Sequence, residues 1–251
     1  MPLRPIQKLL HEPCVISVLA GYGFLITVLV IHILWARSTM ESQIRDMLLA
    51  LASSNAAQID ADALDAVDGR SDMDAPQFRE LVTRLQAIRD AEGVSIRYAY
   101  ILRRTSDPME LEFVADADSL LSPDELDVNR NGTVDMAEEA SYPGDTYDVS
   151  DNDALRMRAF EAPTTDDEVT IDQWGRLLSG YAPIRRPNGT VTGVLGIDMK
   201  ADEYQSLIAR TASPFLLLVV ITSGLLLCAT SVYCVVKKMP KMDTNDPQSA
   251  L

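Results

Sequence analysis

Cysteine is nearly missing from this chain. Three occur in 251 residues, Cys14, Cys228 and Cys234, and all stand in or beside long apolar runs. The region from Arg37 to Ser213 has none, so no disulfide staples it. At about 175 residues it is large enough to bury a core of its own. Histidine is scarce too: His11 and His32 both lie near the N-terminus, which leaves the central region without an imidazole base. No glycine-rich nucleotide loop, no Cys/His metal cluster and no nucleophile elbow is present in the sequence, so it offers no grounds for an enzyme. The formal net charge is -15 and no basic stripe is present, which argues against nucleic acid as a partner.

What the chain does have is two long apolar runs, Val15 to Trp35 and Phe215 to Val236. Each has about 20 residues, the length that crosses a hydrocarbon core of about 30 Å. The first run is too long for the apolar part of a cleaved signal, and Ile33 to Arg37 lacks a small-residue cleavage site, so a retained anchor is expected. His32, Trp35 and Tyr233 suit interfacial positions. Arg4 and Lys8 precede the first run, and Lys237, Lys238 and Lys241 follow the second, which predicts two passes through a bacterial cytoplasmic membrane with both termini cytoplasmic. The expected organisation is a short inner N-terminus (1–14), a membrane helix (15–35), an extracytoplasmic domain (37–213), a second membrane helix (215–236) and a cytoplasmic tail (237–251).

Within the outer domain, Ser38 to Val67 continues as helix, with Ile44, Met47, Leu48, Leu51, Ala52 and Ile59 at helical spacing and a break at Ser53-Ser54-Asn55. A second helix is predicted from Gln77 to Ala91, ended by Gly93. Ile96 to Leu102 alternates as a strand, with Leu111 to Ala115 as its hairpin partner across Thr105 to Pro108. An acidic stretch follows, then a short helix from Asp153 to Phe160. Val169, Ile171 and Gln173 then alternate with polar neighbours like a half-buried strand. Leu177 to Ile184 and Thr190 to Met199 are two further strands. Asn188-Gly189 between them is a strong hairpin signal, because both residues tolerate positive φ. Gly193 and Gly196 leave room for close backbone approach. Ala201 to Arg210 is helical, and Pro214 is placed to kink or restart that helix. The fold class expected is α+β, a single antiparallel sheet behind a long N-terminal helix, flanked by two transmembrane helices.

The sharpest motif is the twelve-residue run from Asp127 to Glu138, which matches the EF-hand calcium loop at every specified position. Ca²⁺ wants six to eight oxygen ligands, and this spacing supplies them from one turn of chain. Asp127, Asn129 and Asn131 offer side-chain oxygens, Thr133 its carbonyl, Asp135 a direct or water-mediated contact, and Glu138 a bidentate closure. Gly132 permits the sharp bend and Val134 is the apolar anchor. Ser122 to Glu125 has capping-box spacing, but the helices on either side are short and no paired loop is present. The expected role of Ca²⁺ is structural ahead of sensory, because extracellular modules of this kind bind at about 10⁻⁴–10⁻³ M.

The wording Trp174-Gly175-x-x-Leu178-Ser179-Gly180-Tyr181-Ala182-Pro183-Ile184, then Asn188-Gly189, then Gly193 to Asp198, resembles the C-terminal half of a Cache (PAS-like) extracytoplasmic sensor domain. Such domains sit outside the membrane on bacterial histidine kinases, diguanylate cyclases and chemoreceptors, and the resemblance runs from about Thr39 to Arg210. It implies a small-ligand pocket on the concave face of the sheet, lined by Tyr98, Tyr100, Asp116, Trp174, Ser179, Tyr181 and Asp198, with Tyr147-Asp148 as a lid. The acidic character of the domain favours a cationic or zwitterionic ligand. It also implies a homodimer through the N-terminal helix. No kinase, cyclase or coiled-coil output occurs in this sequence, so a signalling partner in trans is expected. The alternative from another class is a structural or accessory membrane protein whose outer domain docks another extracytoplasmic protein.

Overall fold

The computed structural model describes residues 13–91 and 95–238. Arg4, Lys8, His11, Gly93, Lys241 and the tail after Lys238 lie outside the described residues. The chain divides into two units, one made of residues 1–38 and 209–251, the other of Thr39–Ile208.

In the first unit the described chain is helical. Helix α1 (Pro13–Ala56) starts there, and α5 (Ala201–Lys238) ends there, continuing as helix through Pro214 rather than restarting at it. Large apolar side chains such as Phe24, Trp35, Leu217 and Leu225 stand exposed, and the Tyr22 and Ser223 hydroxyls hydrogen-bond. Among the described residues one helix, within Leu19–Ala56, is long and apolar enough to cross a membrane. The apolar stretch in α5, Leu217–Thr230, is shorter.

The second unit is an α+β domain. Ile44, Leu48, Ala52 and Ala56 of α1 repeat every fourth residue and are buried, the stripe that helical spacing produces. The helix ends where Ser54 and Asn55 turn their side chains back onto the Leu51 carbonyl. After the short α2 (Ala61–Leu64), capped by the Asp60 carboxylate, α3 (Pro76–Arg89) begins on its proline and buries Phe78, Leu81, Val82, Leu85 and Ile88.

Seven strands form one antiparallel sheet: β1 (Tyr98–Arg104), β2 (Glu110–Asp116), β3 (Thr146–Asp148), β4 (Thr164–Thr165), β5 (Thr170–Asp172), β6 (Gly175–Arg185) and β7 (Val191–Lys200). The order is β3-β2-β1-β7-β6-β4, with β5 paired to β6. One face, carrying Ala99, Ile101, Leu195, Ile197, Leu178 and Ala182, packs in the core with α1 to α3. The other carries Tyr98, Tyr100, Phe113, Tyr181 and Val194 in a second, aromatic cluster. The short helix α4 (Pro123–Leu126) opens the loop that ends in the single helical turn Met136–Glu138. The segment expected as a helix from Asp153 to Phe160 is a five-residue π-turn, Ala154–Arg158.

Two details depart from the sequence expectation. The β6–β7 connection is not a two-residue primed turn. Arg186 N–H bonds the Thr190 carbonyl and Gly189 N–H bonds the Arg186 carbonyl, so Pro187-Asn188-Gly189 form a three-residue loop with positive φ only at Gly189. Strand β5 is a three-residue edge in which Ile171 is 76% exposed, so it is the Asp172 and Trp174 side of this hairpin that turns inward.

Candidate functional site

The aromatic face of the sheet closes on a small cavity. Alternation along β1 puts Tyr98 and Tyr100 on that face. Their register partners on β7 are Asp198 and Gly196. A Cβ at position 196 would collide with the Tyr100 ring, so glycine there lets the ring lie across the sheet. The Tyr100 hydroxyl thereby reaches Asp198 Oδ1 at 3.1 Å. Strand β2 contributes Phe113 and Asp116, although a three-residue separation would place them on opposite faces of a regular strand. A bulge at Val114, where the register steps from Ala115 to Phe113, turns both inward.

Phe113 is the hub of the box. Its ring meets Tyr100, Tyr147 and Trp174 edge-on at centroid distances of 5.7, 6.1 and 6.0 Å. Tyr147 comes from β3, and Trp174 from the tight turn between β5 and β6 that Asp172 Oδ1 caps by accepting the Trp174 and Gly175 N–H groups. The Tyr147 hydroxyl donates to Asp172 Oδ2 at 3.1 Å. The enclosed space is about 20 Å³, room for one water.

Among the described residues three carboxylates line this box, Asp116, Asp172 and Asp198, and no Lys or Arg does. Arg97 lies over the Tyr98 ring, 4.5 Å from its centroid, without lining the cavity. Burial pushes Asp116 up to about 7, against the Asp118 and Ser141 backbone N–H groups that favour its charged form. Burial holds Asp198 well above the usual carboxylate range despite hydrogen bonds from Ser179 and Tyr100, and raises Asp172 as well. The Tyr98 phenol is pushed up to about 12 by burial. Aromatic faces around carboxylates that lack a cationic partner favour a positively charged group, which would stack on the rings and ionise the acids.

Outside the box runs a groove of about 830 Å³ that shares Tyr147 and Asp172 with it. Among the described residues its lining includes Glu110, Asp148, Asp151, Asp153, Asp167 and Glu168, and no Lys or Arg. The Tyr147–Asp172 hydrogen bond is thus the partition common to both spaces.

Of the residues expected to line a pocket, Tyr98, Tyr100, Asp116, Trp174 and Asp198 meet in the box, and Tyr147 is part of its wall. Ser179 and Tyr181 lie on the same face one strand further out and do not line it. Ser179 N–H donates to Asp166 Oδ2, and the Tyr181 hydroxyl bonds the Asn152 amide. Phe113, Ser141 and Asp172 complete the box without having been expected there. The bulge brings in Phe113, the β5–β6 turn Asp172, and the segment after Glu138 brings in Ser141.

The Asp127–Glu138 loop is drawn round its own side chains. Asp127 accepts the N–H groups of Asn131 and Gly132, and Glu138 those of Asn129 and Asp135. Asp135 Oδ2 accepts the side-chain amides of Asn129 and Asn131 at 2.9 and 3.0 Å. Arg130 and Gly132 take positive φ, which bends the chain sharply. Among the described residues no three His, Cys, Asp or Glu side chains are gathered closely enough to hold a metal. In this loop the amide NH₂ groups stand against the Asp135 carboxylate, a place suited to positive charge. The donor types nevertheless suit a hard cation: Asp127, Asn129, Asn131, Asp135 and Glu138 carry side-chain oxygens and Thr133 a carbonyl, although Asn129 and Asn131 Oδ1 here accept the Asn131 and Thr133 N–H groups. Glu138, which would close the site, is buried, and Val134 is half-buried.

No family model and no curated protein matches the chain. Among solved structures, the ligand-binding domain of the Campylobacter jejuni chemoreceptor Tlp3 in complex with L-valine aligns with a TM-score of 0.48 and 15% identity over 80% of this chain and 68% of that one. The sensory domain of the same receptor with isoleucine bound aligns at 0.46 and 14% over 80% and 68%. The A. aeolicus nlh2 GAF domain aligns at 0.29 and 12% over 74% and 98%.

Proposed function

We propose that this chain is a membrane-anchored extracytoplasmic sensor whose box takes the positively charged group of a small amine, and whose Asp127–Glu138 loop binds Ca²⁺. The observation that carries the reading is the box itself, in which four ring systems and Tyr98 surround Asp116, Asp172 and Asp198 with no basic residue among them. The Cache-like wording of β6 and β7 supports a sensor role, and the two apolar runs support a two-pass anchor with both termini cytoplasmic. Strand β7, which carries Asp198, runs into α5 with no intervening loop, Lys200 being followed directly by Ala201. A shift at Asp198 therefore has a short covalent path into the helix that leads to the second apolar run.

Room for only about one water means that binding requires the Tyr147–Asp172 partition to move toward the acidic groove. The test is calorimetry on the full chain in micelles with a panel of primary amines, amino acids and amine-free carboxylates. Amines are expected to bind and the carboxylates not. Asp198→Asn and Tyr100→Phe are each expected to weaken amine binding about tenfold or more, the loss of a charge-assisted partner or of the hydrogen bond that aims it. Preference for amine-free carboxylates would sink the reading. For the loop, calcium titration should show one site that Glu138→Gln removes.

A further inference from the structure

Three walls of the box are fastened to one short segment of chain, and that segment begins at the residue before Glu138. The Tyr98 hydroxyl donates to the Ala137 carbonyl at 2.9 Å. Trp174 Nε1 donates to the Glu139 carbonyl at 2.8 Å. Ser141 N–H donates to Asp116 Oδ2 at 3.2 Å, and the Ser119 hydroxyl holds the Ser141 carbonyl at 2.7 Å. The three box residues come from β1, from the β5–β6 turn and from the end of β2, and Ala137 to Ser141 is a support common to all three. The same segment is the exit from the loop. Its single helical turn, Met136–Glu138, is held by Glu138, whose carboxylate also reaches back to the Asn129 and Asp135 N–H groups.

We infer that a divalent cation in the Asp127–Glu138 loop is a positive effector of the aromatic box, acting through the backbone of Ala137 to Ser141. The inference rests on the calcium and amine reading above. Glu138 accepts the Asn129 and Asp135 N–H groups here, and ligating a cation would compete with them for its carboxylate. Moving it moves the carbonyls on which Tyr98 and Trp174 are hung. Cation binding fixes that segment, so the box residues are set before the amine arrives and less conformational entropy is lost on binding. Charge repulsion between the two cations does not reverse the sign. Asp127, Asp135 and Glu138 against Arg130 give the empty loop a net charge of -2, so one divalent ion brings it to neutral and leaves no net positive charge to repel the amine. The effect must be reciprocal: whatever factor Ca²⁺ adds to amine affinity, the amine adds to Ca²⁺ affinity.

The experiment uses the full chain in micelles with Trp35→Phe, which leaves Trp174 as the sole tryptophan and a reporter inside the box. Ca²⁺ binding is followed by calorimetry and Trp174 emission in parallel, and methylammonium affinity is measured in chelator and in saturating Ca²⁺. The expected result is a Trp174 shift with the calorimetric midpoint, reversed by chelator, and methylammonium binding about tenfold tighter with Ca²⁺. The reciprocal tenfold gain in Ca²⁺ affinity should accompany it. Calcium binding with a silent Trp174 and unchanged methylammonium affinity overturns the coupling and leaves both binding sites standing. Absence of calcium binding overturns the coupling and the loop assignment together. A Trp174 response to Ca²⁺ without methylammonium binding sustains the coupling and removes the amine reading. Glu138→Gln and Asp127→Asn are both carried as calcium-deficient controls, so that misfolding of one does not decide the result.

Discussion

Single residues set the character of the box, and two of them give direct tests. Gly196 is the space in which the Tyr100 ring lies. Gly196→Ala should destabilise the domain by about 1–3 kcal/mol, the usual cost of overpacking, and should abolish amine binding by displacing Tyr100 from Asp198. Chemical denaturation and calorimetry would show both. Asp116 carries a pH signature. Its pKa is about 7 in the folded chain and about 3.9 in an unfolded one. Between those values the folded state binds more protons than the unfolded state, so stability falls as pH rises from about 4 to about 7 and then levels off. Asp198, raised by the same burial, adds in the same direction. Denaturation at pH 5 and pH 8 should therefore show the domain more stable at pH 5, with Asp116→Asn reducing the difference. Amine affinity should run the opposite way, rising with pH, because the cation needs the ionised acids.

Among the elements, the approach of α1 to β6 is what lets the sheet pack on its helical side. A Cβ on Gly180 would lie 2.9 Å from Leu48 Cβ and 3.0 Å from the Leu48 carbonyl carbon and oxygen. Backbone cannot yield as a side-chain tip can. Gly180→Ala should cost about 1–3 kcal/mol by pushing helix from strand. Leu48→Ala, at a fully buried position, should cost about 2–5 kcal/mol by leaving a cavity. Thermal or denaturant unfolding measures both, and near-neutral values would mean that helix and strand can part at this contact at little cost. The two elements were differently legible in sequence. The apolar repeat at Ile44, Leu48, Ala52 and Ala56 is local and shows at once. That Gly180 is small because Leu48 sits on it depends on a partner 132 positions away.

At the scale of the whole molecule, calcium and the membrane provide the tests. If the loop binds Ca²⁺ only in the folded state, saturation at about 100 times Kd should add about 2.7 kcal/mol to stability, and Glu138→Gln should remove the gain. Denaturant midpoints in calcium and in chelator would decide this. The two-pass topology predicts that protease added to intact spheroplasts cleaves within residues 37–213 while a tag after Leu251 survives. Loss of the tag under the same conditions would place the C-terminus outside and contradict the orientation taken from Lys237 and Lys238.

The sequence by itself determined whatever depends on near neighbours. Alternation at Tyr98 and Tyr100, the helical repeat of α1 and α3, the β6–β7 hairpin and the twelve-residue Asp127–Glu138 loop all follow from residue spacing and local stereochemistry. Even the hairpin was only half determined: Asn188-Gly189 marked its place, while the three-residue loop appears only in the pairing of Arg186 with Thr190. Tertiary structure alone decided how the box closes. Pairing β1 with β7 set Asp198 beside Tyr98 and Gly196 beside Tyr100, and the bulge at Val114 swung Phe113 to join Asp116. The packing of Ala137 to Ser141 against Tyr98, Asp116 and Trp174 joined the loop to the cavity. These are contacts between segments tens of residues apart, and no local spacing encodes which strand becomes the neighbour of which.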